Sequence, residues 1–130
     1  MKTISLTLAV FALAAPLQAS VAIFQLNTEF SGATDPQGTA PWLTATFDDS
    51  FGGPNTVRLT ISAANLVSSE FASELSFNLN PAFDPTDLTF SIVSNPTALA
   101  LGDIETGINA FTADGDGDYD LLFDFPPPPG

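Results

Sequence analysis

The sequence predicts an all-β chain, an antiparallel β-sandwich of jelly-roll-like form, behind a short N-terminal signal-peptide helix. Three observations carry this. Six segments alternate apolar and polar residues with a period of two. Gly, Pro, Asn, Asp and Ser cluster between those segments. After residue 22 no window sustains the 3.6-residue period of an amphipathic helix.

The leader comes first. "MK" is a positive start, "ISLTLAVFALAA" is an apolar run, and "PLQASVA" breaks it with Pro16 and supplies small residues. That three-part layout is a secretory signal peptide. The run falls short of the roughly 20 apolar residues a spanning helix needs, so the mature chain is expected to have no membrane span. Cleavage is expected after Ala19 or Ala22, and Ser20 with Ala22 fits the small-x-small rule better. Residues 1–22 are therefore assigned to the leader, 23–125 to the sandwich and 126–130 to a proline-rich tail.

The first alternating segment, 22–30, sets Phe24, Leu26 and Phe30 against Gln25, Asn27 and Glu29. Residues 42–47 place Leu43, Ala45 and Phe47 on one side, with Trp42, Thr44 and Thr46 on the other. Segment 57–62 opposes Val57, Leu59 and Ile61 to Arg58, Thr60 and Ser62. Residues 74–80 give Leu75, Phe77 and Leu79, and 88–93 give Leu88, Phe90 and Ile92. Residues 119–125 align Tyr119, Leu121, Phe123 and Phe125. Each reads as a half-buried strand. The stretch 65–75 suggests one helical turn, and 98–108 fits neither period. A closed sandwich has about seven or eight strands, so six predict an incomplete one with a bare sheet edge. After Phe125, four prolines end the last strand.

Composition excludes much. The 130 residues contain no His and no Cys, which removes the usual zinc and copper sites and the Ser-His and Cys-His nucleophile pairs. No disulfide can form, and an exported domain without one suits a bacterium. Once Lys2 leaves with the leader, Arg58 stands alone against 15 acidic residues, a net charge of −14. Nucleic acid is a polyanion, so it is not expected as a partner. Such a surface attracts cations.

The candidate cation site is "ADGDGDYD", residues 113–120. Asp114, Asp116, Asp118 and Asp120 occupy every second position, and hard carboxylate oxygens suit calcium. Counted from Asp114, the sixth and twelfth positions are Tyr119 and Phe125, where an EF-hand has Gly and Glu. The run therefore reads either as a calcium loop outside that pattern or as a solvated Gly-rich turn leading into a strand. Calcium is the one cofactor expected. Trp42 is the second candidate, a ring on which a sugar could stack, against the plainer reading of a ring covered by a loop. Glu70 and Glu74 would stand about 13 Å apart on one strand. That is too far for the 5–9.5 Å of a glycosidase pair, and no catalytic residues are assigned.

Several stretches are familiar together. "PWLTATFDD", "VRLTISAANL", "SEFASELSFNLNP", "DPTDLTF" and "FTADGDGDYDLLFDFP", in that order behind the leader, resemble the N-terminal part of the PEP-CTERM family of secreted bacterial proteins. The resemblance implies sorting by an exosortase-type system in a Gram-negative-type bacterium, a β-sandwich body, and a place in the envelope or extracellular matrix. It implies exopolysaccharide or other matrix proteins as partners. The family's C-terminal Pro-Glu-Pro, apolar span and basic tail have no counterpart in these 130 residues. The expectation is a fragment or shorter relative, a non-enzymatic matrix protein, with a carbohydrate-binding module acting on exopolysaccharide as the alternative.

Overall fold

The computed structural model describes residues 20–29, 32, 34–95, 101–113 and 117–126. The expected leader helix, Asp114, Asp116 and nearly all of the proline tail lie outside the described residues. Six strands are present among them: β1 (Val21–Leu26), β2 (Leu43–Asp48), β3 (Arg58–Ser62), β4 (Glu74–Phe77), β5 (Ile104–Thr112) and β6 (Asp118–Asp124). They form two three-stranded sheets, ordered β1-β2-β3 and β4-β6-β5, with every pairing antiparallel. This is the all-β, sandwich-like fold that the alternation predicts. No described helix is long and apolar enough to cross a membrane.

Register turns the sequence pattern into a core. In the first sheet Phe24 faces Ala45, which faces Ile61, while Ala22 faces Phe47, which faces Leu59. In the second, Leu75 faces Phe123, which faces Ile104, and Phe77 faces Leu121, which faces Thr106. The sheets meet through aromatic rings. Phe24 stands edge-on to Phe47 at 5.8 Å, Phe47 edge-on to Phe77 at 5.3 Å, and Phe77 stacks on Phe123 at 5.4 Å. Phe90 closes the row, edge-on to Phe123 at 5.8 Å. Edge-to-face and offset contacts suit the ring quadrupole. Among the described residues burial is confined to few apolar side chains: Leu121 is 1 %, Ala45 4 % and Phe123 7 % exposed.

Two segments differ from expectation. Residues 88–93 alternate as a strand should, yet they join neither sheet. The chain reaches them from a 3-10 turn at Pro85–Asp87, capped by the Asp84 side chain, and Pro85 is buried. Phe90 lies against Phe123, while Ile92 and Val93 are exposed. Alternation supplies a face for a strand but not a neighbour for its backbone, and a ladder needs both.

Conversely, residues 104–112 form the nine-residue β5 although their pattern fits no single period. The reason is a bulge. Thr106 pairs with Leu121 and Phe111 with Tyr119, so residues 107–110 stand opposite Asp120 alone. An irregularity of this kind shifts the parity of the strand, which places Ile104 and Phe111 on one face despite their odd separation. Gly107 permits it, because a Cβ there would come 2.7 Å from that of Ala110. Asn109 takes a left-handed φ of 47°. The helical turn expected within 65–75 is replaced by two short turns leading into β4.

Candidate functional site

An acidic chain must do something with its carboxylates, and here they hold backbone. Asp120 is the clearest case. It sits in the middle of β6, 9 % exposed, opposite the β5 bulge. One carboxylate oxygen accepts the Asn109 N–H at 2.8 Å, and the other accepts the Leu79 N–H at 3.0 Å. A bulge leaves its extra residues without ladder partners, and so does the exit from β4. One buried anion satisfies a donor from each, and amide-to-carboxylate bonds are among the stronger protein hydrogen bonds.

Of the aspartates of residues 113–120, the two that are described, Asp118 and Asp120, do not share one environment. Asp120 is turned into the protein and engaged on both oxygens. Asp118 is exposed at the start of β6, just after Gly117, whose φ is 108°. Asp114 and Asp116 lie outside the described residues. Among the described residues no group of three or more Asp, Glu, His or Cys side chains could hold a metal ion.

Trp42 stands one residue before β2, partly buried. Its Nε1–H donates to the Gly38 carbonyl oxygen at 2.7 Å, and its backbone N–H donates to the Leu26 carbonyl oxygen at 3.0 Å. Gly38 has no room for a side chain, because a Cβ would run into the Asn65 carbonyl. Asn65 in turn donates to the Pro41 carbonyl oxygen at 2.8 Å. The indole thus ties the loop before β2 to itself, with its polar edge occupied.

Glu70 does for the adjoining turns what Asp120 does for the second sheet. Its carboxylate accepts the Gln37 N–H at 2.7 Å and the Val67 N–H at 2.9 Å, joining segments 33 residues apart. A shallow groove of about 430 Å³ runs beside it, lined by residues 34–37 and by Leu66, Ser69 and Phe71. Glu74 opens β4, so the two glutamates do not share a strand, contrary to the assumption behind their expected separation. Asp84 accepts from the Thr86 N–H at 2.9 Å and hydroxyl at 2.7 Å, and Asp48 accepts from the Ser50 N–H at 3.0 Å. Asp48 also meets Arg58 across the β2–β3 pair at 2.8 Å, and the guanidinium lies 4.7 Å from the Phe51 ring centre. Two of these were open to sequence reasoning. Asp84-Pro85-Thr86 is a capped turn start, and Asp48-Asp49-Ser50 is an Asx-turn pattern. The reach of Glu70 and Asp120 across the chain leaves no local signal.

These bonds move acidities in one direction. Donation from the Val67 and Gln37 amides holds Glu70 below its ordinary value. Thr86 does the same for Asp84, through its hydroxyl and then its amide. For Asp48 the hydroxyl and amide of Ser50 lead, followed by the Arg58 guanidinium. A carboxylate whose folded pKa is depressed contributes stability above its unfolded pKa and loses it as pH falls through the folded one. The chain should melt at its highest temperature above about pH 5 and progressively lower from about pH 4 downward. A melting temperature that is flat between pH 6 and pH 3 would show that losing these bonds is outweighed by the relief of the chain's own negative charge on protonation. No family model matches this chain, and neither a curated protein nor a solved structure matches it.

Proposed function

We propose that this chain is an exported, non-catalytic bacterial β-sandwich protein that serves in the cell envelope or extracellular matrix. The observation that carries the reading is Asp120. Among the described residues Asp120 is the one buried carboxylate, and each of its oxygens accepts a backbone amide, a bracing role that supports the non-catalytic part of the reading. Glu70, beside the groove, is spent in the same way. The three-part N-terminus supports export, and the negative charge suits a cation-rich exterior in which exopolysaccharide and other matrix proteins are the partners. Expressed whole in a Gram-negative host, the protein should be recovered outside the cytoplasm. Retention inside, with its leader intact, would overturn the proposal.

Calcium enters this reading as a stiffener of the run before β6, bound by Asp114, Asp116 and Asp118, with a carbonyl completing the shell in place of Asp120, whose oxygens accept the Leu79 and Asn109 amides. Extracellular sites bind calcium at about 10⁻⁴ to 10⁻³ M, so the effect belongs at millimolar concentrations. At ten times the dissociation constant the linkage contributes roughly 1.4 kcal/mol, several degrees in a domain of this size. Asp116→Asn should abolish the response, and sodium chloride at matched ionic strength should not reproduce it. Equal melting temperatures in calcium and in chelator would leave the run as a solvated turn.

A further inference from the structure

The outer end of β1 is closed by a reciprocal clasp between Ser20 and Asp49. The Ser20 N–H donates to one oxygen of the Asp49 carboxylate, and the Ser20 hydroxyl donates to the other at 3.1 Å. The Asp49 N–H returns a bond to the Ser20 carbonyl oxygen at 3.2 Å. Directly inside the clasp the ladder begins, with Val21 opposite Asp48 and Ala22 opposite Phe47. The β1 strand thus starts within the segment first assigned to the leader.

We propose that export cuts the chain between Ala19 and Ser20, and that Asp49 holds the α-ammonium group released on Ser20. This rests on the exported reading above. The step is hydrolysis by a host signal peptidase. Water breaks the Ala19–Ser20 peptide bond, the leader keeps the new carboxylate, and Ser20 keeps the nitrogen, which takes up a proton at neutral pH. The nitrogen that donates to Asp49 as an amide is the one that becomes the ammonium. The cut therefore converts a neutral donor into a charge-assisted one at the same place.

The alternative cut, after Ala22, removes Ser20 with all three of these bonds. It also removes two of the six β1 residues, Val21 and Ala22, from a strand that has β2 as its one ladder neighbour among the described residues. Short edge strands have little else to hold them. The small-x-small rule points the other way, because Leu17 stands where that pattern wants a small residue before Ala19. Sequence rule and fold therefore disagree, and one measurement decides between them.

The intact mass and first residue of protein recovered outside the cytoplasm of a Gram-negative host supply that measurement. Ser20 as first residue is the expected result. Ile23 first would overturn this inference and leave export standing, whereas Met1 retained would overturn both. The second arm uses a feature of the composition. With Lys2 gone the mature chain has no lysine, so its α-amine is its one primary amine. An acetylating reagent should then label Asp49→Asn several-fold faster than the parent, because the engaged ammonium is less nucleophilic. Equal labelling rates would overturn the capture by Asp49.

Discussion

Asp120→Ala should be the most damaging polar substitution in this protein. Truncation leaves the Leu79 and Asn109 amides without their acceptor, one at the exit of β4 and one in the β5 bulge. A buried donor left unpaired costs about 1–3 kcal/mol, but Asn109 is exposed and Leu79 half-buried, so water replaces part of the loss and the two together should cost roughly 2 kcal/mol. At about 4–8 °C per kcal/mol in a small domain, the melting temperature should fall by roughly 8–16 °C. Asp120→Asn keeps one acceptor oxygen but points its NH₂ at the other donor, so it should recover at most part of the loss. Asp118→Ala, two residues earlier and exposed, should change little. Thermal melts of the three variants at pH 7 test this. If Asp120→Ala melts within about 2 °C of the parent, the carboxylate is not the brace described here.

The contrast between those two aspartates shows where reading the sequence stops. Both belong to a run that looks uniform, and alternation places both on the same side of one strand. What separates them is the β5 bulge opposite Asp120, and that bulge erased the period by which β5 could have been recognised. Gly107 and Asn109 are visible in the sequence, but a glycine and an asparagine mark a turn as readily as a bulge. The strands with unbroken alternation were legible to within a few residues: β1, β2, β3, β4 and β6 all fall on predicted segments. Residues 88–93 fail for the opposite reason. Their pattern is clean, but pairing is a property of two segments, and the partner cannot be read from one of them. The candidate site followed the same logic. Local caps such as Asp84 are written in neighbouring residues, while Glu70 and Asp120 act on amides more than 30 positions away.

Among apolar residues the largest effect should come from Phe123→Ala. Phe123 is 7 % exposed, stacks on Phe77 and receives the edge of Phe90, so its ring joins β6, β4 and the unpaired segment 88–93. Truncating a buried Phe costs about 3–5 kcal/mol, from lost transfer energy and the cavity left behind. Native domains hold roughly 5–15 kcal/mol in total, and few apolar side chains here are fully buried, so the variant should be at the edge of unfolding at 25 °C. Phe24, at the far end of the same aromatic row, is 58 % exposed. Phe24→Ala should cost well under half as much, because most of that ring is already in water. Double-mutant cycles then test the row itself. Phe77 with Phe123 should couple by about 0.5–1.5 kcal/mol, while Phe24 and Phe123, with two rings between them, should be additive within about 0.5 kcal/mol. Urea denaturation supplies the numbers, and Phe123→Leu should restore part of the loss by refilling the volume. A Phe24→Ala variant as unstable as Phe123→Ala would place the centre of the core in the first sheet instead of at the β4–β6 pair.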